Sequence, residues 1–194
     1  MITDIVRMLV DTLGALVVGA CLLRLWLQSQ RIGMRNPVGE FTMALTDWIV
    51  KPLRRVVPGT AGIDWSSLIA AYLVSLFSVC VLVLVATLMV PYAHVPGLEV
   101  FLGFAAVKFL KWAIWTVIVV LMVSATLSWF NPFSPVLPVF DALGAPVLRP
   151  IRRAIVRLFS STGRFDFSPL VAVLVLYILL YVLQGLSLRW FLDY

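Results

Sequence analysis

Residues Leu68–Val90 read LIAAYLVSLFSVCVLVLVATLMV, 23 residues without a charge. As an α-helix rising 1.5 Å per residue, the run extends about 34 Å and crosses a bilayer hydrocarbon core with some tilt. A strand reading fails, because the run is too long and its apolar residues do not alternate with period two.

Three more apolar runs lie outward from this span, at Thr12–Leu27, Trp112–Phe130 and Leu170–Leu188. Only the first carries a charge, Arg24, which lies within about a turn of its end and is expected to snorkel to the headgroups. Arg7 and Asp11, one helical turn apart, are expected to pair at the opposite interface. Composition agrees with a membrane chain: 62% of the 194 residues are hydrophobic, 12% are charged, and the mean hydropathy is +1.07. Soluble domains are near half apolar and about a quarter charged, so so few charges cannot cover a water-facing surface. The first run follows Asp4, Arg7 and Asp11 rather than a basic segment, which argues against a cleaved signal.

Net charge is +6, and its distribution decides its meaning. Ten of the fifteen basic residues fall in two inter-span segments: Arg31, Arg35, Lys51, Arg54 and Arg55 in the first, and Arg149, Arg152, Arg153, Arg157 and Arg164 in the second. Basic loops of membrane proteins face the cytoplasm, so both segments are expected there, with the termini on the far, periplasmic side. Nucleic acid is a poor fit for charge placed between apolar runs. The fold class expected is therefore an all-α membrane protein with four transmembrane helices, arranged as two tandem helix–loop–helix repeats. Repeat 1 covers 1–97, with spans at about 12–27 and 68–90 and loop 28–67; repeat 2 covers 98–194, with spans at about 112–130 and 170–188 and loop 131–169. Residues 98–111 read either as a short interfacial helix or as the start of a longer third span.

The two loops carry the same motifs in the same order. The first has Asn36-Pro37, then Lys51-Pro52-Leu53-Arg54-Arg55, then Asp64-Trp65-Ser66; the second has Asn131-Pro132, then Arg149-Pro150-Ile151-Arg152-Arg153, then Asp166-Phe167-Ser168. Asn-Pro ends a helix or opens a turn, because the residue before proline is driven out of the α region. Pro52 and Pro150 suit the first turn of a new short helix. From Val147 to Phe159, apolar Val147, Leu148, Ile151, Ile155, Leu158 and Phe159 recur at helical spacing, with Arg149, Arg152, Arg153 and Arg157 on the remaining side. Such an amphipathic helix is suited to lie in the interface against anionic headgroups. Asp64 and Asp166, with Ser66 and Ser168 close by, are placed to cap the next helix. Small residues at i, i+4, Ala15 with Gly19 and Ser124 with Ser128, suit helix contacts.

No constellation for catalysis stands out. His94, the one histidine, lies in the Pro91–Gly97 turn and reads as a loop histidine. Cys21 and Cys80 lie apart in apolar runs and read as small buried packing residues. The nine acidic residues are scattered, so neither a metal nor a cofactor is expected. Asp47 and Asp141 read as solvated loop charges, or as partners of the arginine clusters. The long runs hold hydroxyls and Gln184, which is expected to face a partner helix, but no mid-membrane charge of the kind transporters use.

These doubled motifs resemble the YggT/YlmG family of bacterial inner-membrane proteins and their plastid relatives, over roughly Leu22 to Leu180. The sequence departs from the family pattern in two places. Thr46-Asp47-Trp48 and Gly144-Ala145-Pro146 stand where the family often has Thr-Asp-Pro, and the second loop lacks the turn that Pro58-Gly59-Thr60-Ala61-Gly62 approximates. Both departures argue against a strict chemical role at those positions. The resemblance implies a place in the bacterial inner membrane and an association with membrane homeostasis, osmotic or ion tolerance, division, or assembly of membrane complexes. It implies no settled reaction.

The expected function is a non-catalytic scaffold or assembly factor. Arg54, Arg55, Arg149, Arg152, Arg153 and Arg157 would meet anionic lipid or a membrane protein complex, and a homo-oligomer is a further partner. Asn36, Pro37, Pro52, Asn131, Pro132 and Pro150 would shape the loops, while Asp64, Asp166 and Ser168 would open the following helices. The alternative is an oligomeric ion or osmolyte channel or transporter.

Overall fold

The structure, a computed structural model, describes residues 2–59, 62–89, 97–159 and 168–192; side chains are described within these ranges except at 2, 155–159 and 186–192. It is all helical among these residues: α1 (Ile2–Ser29), α2 (Pro37–Val56), α3 (Trp65–Met89), α4 (Leu98–Phe130), α5 (Leu137–Phe159) and α6 (Ser168–Leu192). Four of the helices are long and apolar enough to cross a membrane, over Thr3–Ser29, Trp65–Met89, Leu98–Phe130 and Ser168–Gly185. The chain divides into two compact units, one of residues 1–35 and 39–113, the other of residues 36–38 and 114–194.

Helix α1 runs further than its apolar stretch because its charges find partners. Arg7 and Asp11 lie 3.9 Å apart along the helix, and Asp11 Oδ1 also meets Lys108 Nζ of α4 at 2.8 Å. Lys108 stands 5.0 Å from the centre of the Trp112 ring, a cation–π position. Residues 98–111 belong to α4, whose 33 residues form one helix. The prolines also differ from expectation: Pro52 lies inside α2 and Pro150 inside α5, so neither opens a helix. Each proline removes one backbone bond. Neighbouring Ile49, Val50 and Leu53 in α2, and Leu148 and Ile151 in α5, pack into the cores and offset that loss.

In the first unit α1 lies along α3. The core gathers Val18 and Cys21 of α1, Val50 of α2, Ala70 and Ala71 of α3 and Trp112 of α4. The buried face of α3 is built of small residues, Ser67, Ala70, Ala71, Ser75 and Ser78, which let helix backbones approach closely. Ser75 and Ser78 satisfy their hydroxyls on the carbonyls of Ala71 and Ser75. In the second unit α5 lies against α6, and Leu121, Leu148 and Ala172 form the core.

Three packing expectations are corrected. Cys80 is exposed rather than buried, because its side of α3 faces away from α1, while Cys21 is buried. Ser124 is buried but Ser128 is exposed, four residues nearer the end of α4. Gln184 lies on an exposed side of α6 among the described residues. His94 lies outside the described residues.

Gly14 of α1 lies directly against the Trp112 ring of α4. A Cβ there would meet the Trp112 ring at 2.4 Å. Gly14→Val is therefore expected to cost roughly 1–3 kcal/mol through overpacking, read as a lowered unfolding temperature in detergent. Gly33→Val, where a Cβ would meet nothing within 4 Å, serves as the control and should shift it less.

Candidate functional site

Arg24 is 4% exposed, so its guanidinium is held inside the protein rather than extended from the helix as a snorkelling side chain would be. Its guanidinium turns inward, because α2 and α3 bring two carboxylates and a hydroxyl to it at less cost than exposing it to hydrocarbon. Nη1 donates to Asp47 Oδ1 at 2.8 Å and to Thr46 Oγ1 at 3.0 Å, and Nε lies 3.8 Å from Asp64 Oδ2. Thr46 is positioned by donating its own hydroxyl to Thr42 O at 2.6 Å, one turn back along α2. Lys51 closes on the outer oxygen of Asp47 at 2.7 Å.

Asp64 stands immediately before α3, and its carbonyl accepts from the backbone N–H groups of Ser67 and Leu68 at 3.0 and 3.3 Å. Its carboxylate is 1% exposed. Oδ2 accepts from Arg54 Nη2 and, at 2.8 Å, from the Ser67 hydroxyl. The Gln28 amide, with its nitrogen toward Asp64, bridges Asp64 Oδ2 and Arg54 Nη2 at 3.2 Å each. Ser66 donates to Val57 O at 2.8 Å and ties the end of α2 to the start of α3. Three cations, Arg24, Lys51 and Arg54, thus surround two carboxylates, at the end of α1, the end of α2 and the start of α3.

The structure divides the basic residues singled out from sequence. Arg54 belongs to this cluster. Arg55 lies exposed in the last turn of α2, and Arg149, Arg152 and Arg153 lie exposed on α5. The side chain of Arg157 and all of Asp166 lie outside the described residues. Pro37 opens α2, with Asn36 just before it. Asn131 follows α4, donating N–H to Leu127 O at 2.8 Å, and Pro132 continues the turn toward α5. Ser168, buried, is the first residue of α6. Asp141 accepts from the Ser124 hydroxyl at 2.6 Å. No group of three or more His, Cys, Asp or Glu suited to a metal ion occurs among the described residues.

Sequence reasoning missed Arg24, Thr46 and Asp47 as a set. The signal was present: an arginine inside an apolar run needs a counter-ion, and Thr46-Asp47 lies on the next helix. The absence of Thr-Asp from the second loop hid it.

Hydrogen bonding from Lys51, with further help from Arg24, holds the Asp47 carboxyl below its ordinary 3.8 against the opposing effect of burial. A depressed folded-state value means that Asp47 stabilises the fold fully above 3.8 and progressively less as pH falls through the folded value. Unfolding temperature in detergent is expected to drop in that acid window, with a shallower drop for Asp47→Asn than for the unsubstituted chain. Asp64→Ala leaves Arg24 and Arg54 short of their shared anion, and breaking such a buried pair costs about 3–5 kcal/mol. Thermal unfolding should show a far larger loss for it than for Asp47→Asn, whose carboxylate is part exposed.

The CCB3/YggT family model matches residues 3–85 and again residues 104–187. The Escherichia coli K12 protein named "Uncharacterized protein YggT" is 36% identical over 171 residues, covering 88% of this chain and 85% of its own length. An uncharacterized Haemophilus influenzae protein is 33% identical over 170 residues, covering 84% of this chain and 81% of its own length. No solved structure matches. With matches to both halves and relatives that align over most of their length, the chain belongs to the CCB3/YggT family, with four helices of membrane-crossing length and composition.

Proposed function

We propose that this chain is a non-catalytic protein of the bacterial cytoplasmic membrane, a scaffold or assembly factor. In this reading α2 and α5 lie along the cytoplasmic interface and bind anionic lipid or the face of a membrane complex. The observation that carries it is the exposed stripe of α2. Phe41, Ala44, Trp48, Lys51 and Arg55 recur at helical spacing on the side opposite buried Thr42, Thr46 and Val50. Phe41 is 55% and Trp48 66% exposed. Large aromatic side chains interleaved with basic ones suit neither bulk water nor hydrocarbon, but match the headgroup layer. In the second unit, exposed Trp129, Phe130 and Phe133 around the α4–α5 turn, followed by exposed Arg149 and Arg153 on α5, support the same placement.

The two units are read as tandem copies. The twofold match of one family model supports this, as do two core positions: Val50 precedes Lys51-Pro52 as Leu148 precedes Arg149-Pro150, and Ala70 follows Asp64 at the spacing at which Ala172 follows Asp166. Both basic segments then face the same, cytoplasmic side, with the termini opposite.

The test is the triple charge reversal Arg55→Glu, Arg149→Glu, Arg153→Glu, with topology checked by cysteine labelling. The unsubstituted chain, extracted in mild detergent, is expected to carry anionic phospholipid or a partner complex enriched over the bulk membrane. Each basic residue near an anionic surface contributes about 1 kcal/mol, so the variant should lose that enrichment by tenfold or more. Correct insertion with unchanged lipid and partners would leave the arginines a topological role alone.

A further inference from the structure

Beside the ion cluster, still within the first unit, is an open cavity of about 580 Å³. Its walls include Gln28 in the last turn of α1, Arg31 and Gly33 after it, Arg54 at the end of α2, and Ile63 and Asp64 before α3. Two guanidinium groups and one carboxylate leave it a net charge of +1, and Arg54 already serves Asp64. Arg31 has no ion-pair partner among the described residues.

Arg31 is also in an unusual backbone state. Helix α1 ends in a Schellman motif: Ile32 N–H donates to Leu27 O and Arg31 N–H to Gln28 O, each at 2.9 Å. The motif requires the left-handed region at Arg31, where φ is 56°. Glycine is the usual residue there, and a side chain with a Cβ costs roughly 1–2 kcal/mol. Strain of this kind concentrates where a side chain is needed for function. A second feature is the buried Asp64 Oδ1, which has no hydrogen-bond partner although Oδ2 is fully engaged.

We propose that this cavity seats the phosphodiester of one membrane phospholipid, held by Arg31, with a headgroup N–H or O–H donor directed to Asp64. The inference rests on the reading that this end of α1 and α2 lies among the headgroups. A phosphodiester carries the single negative charge that the cavity lacks, and guanidinium binds phosphate oxygens in pairs. An ethanolamine or glycerol headgroup supplies the donor; a choline headgroup has none.

The experiment is native mass spectrometry of the full chain in detergent, titrated separately with phosphatidylglycerol, phosphatidylethanolamine, phosphatidylcholine and inorganic phosphate. The expected result is one tightly bound phosphatidylglycerol or phosphatidylethanolamine per chain, held at least about tenfold more tightly than phosphatidylcholine. Arg31→Gly should weaken that adduct about tenfold while the unfolding temperature stays level or rises, since glycine relieves the backbone. Arg31→Asn, also tolerated in the left-handed region, should lose the lipid likewise. The triple reversal at Arg55, Arg149 and Arg153 should keep it, even if the surface reading fails. Unchanged lipid affinity in Arg31→Gly would overturn the proposal. So would equal loss in the triple variant, which would mean diffuse attraction. Displacement of the lipid by millimolar inorganic phosphate would overturn the lipid assignment in favour of a free phosphate.

Discussion

The burial of Arg24 constrains the whole first unit. A guanidinium held at 4% exposure must find its hydrogen-bond acceptors inside the protein, since neither water nor lipid supplies them. Asp47 and Thr46 come from α2, and Asp64 from the turn into α3. One side chain of α1 therefore fixes the angle at which α2 leaves and the level at which α3 begins. Arg54 and Ser67 complete the shell around Asp64. Apolar packing alone would not select this arrangement, because greasy faces slide with little penalty in a bilayer, whereas a misplaced carboxylate leaves a buried cation alone.

The small residues of α3 serve the same end. Ser67, Ala70 and Ala71 keep the backbone of α3 close to α1, so the short Asp64 side chain reaches the cluster. Gly14 does the equivalent further along, where the Trp112 ring occupies the space a Cβ would take. Close approach and charge satisfaction depend on each other: larger residues on either helix would move Asp64 beyond hydrogen-bond reach.

The four spans were legible because lipid demands long uncharged runs, a signal independent of tertiary detail. Helix ends were less so. The sequence placed the start of the first span after Asp11, but Lys108, nearly a hundred residues later, pairs with that carboxylate and lets the helix continue. The prolines misled for a related reason. Pro52 looks like a helix opening, yet the core contacts of Ile49, Val50 and Leu53 on either side hold α2 together through it. Of the site, Arg54 and Asp64 were visible as repeated motif positions. Arg24 and Asp47 were not, since their meaning lies in a contact between separate helices and the second loop has no matching pair. The role of Arg31 was invisible altogether, because a left-handed backbone at a non-glycine residue is a property of the folded helix end.

The second unit buries its polar groups in a different way. The buried polar residues of α4 are Thr116 and Ser124, both neutral hydroxyls, and Ser124 donates to Asp141 at 2.6 Å. Asp141 is itself exposed, so loss of that bond strands no buried charge. The first unit instead commits two carboxylates to a buried arginine and pays for it in desolvation. If the two units are copies, a neutral bond of the second kind is enough to hold such a helix pair. The buried charges of the first are then more than the fold requires, and their position beside a basic cavity at the end of α1 argues that they are kept for what they hold in place there. A rigid Asp64, fixed by Arg24, Arg54 and Ser67, keeps one wall of that cavity in a single geometry, which a hydroxyl on a mobile helix end would not do.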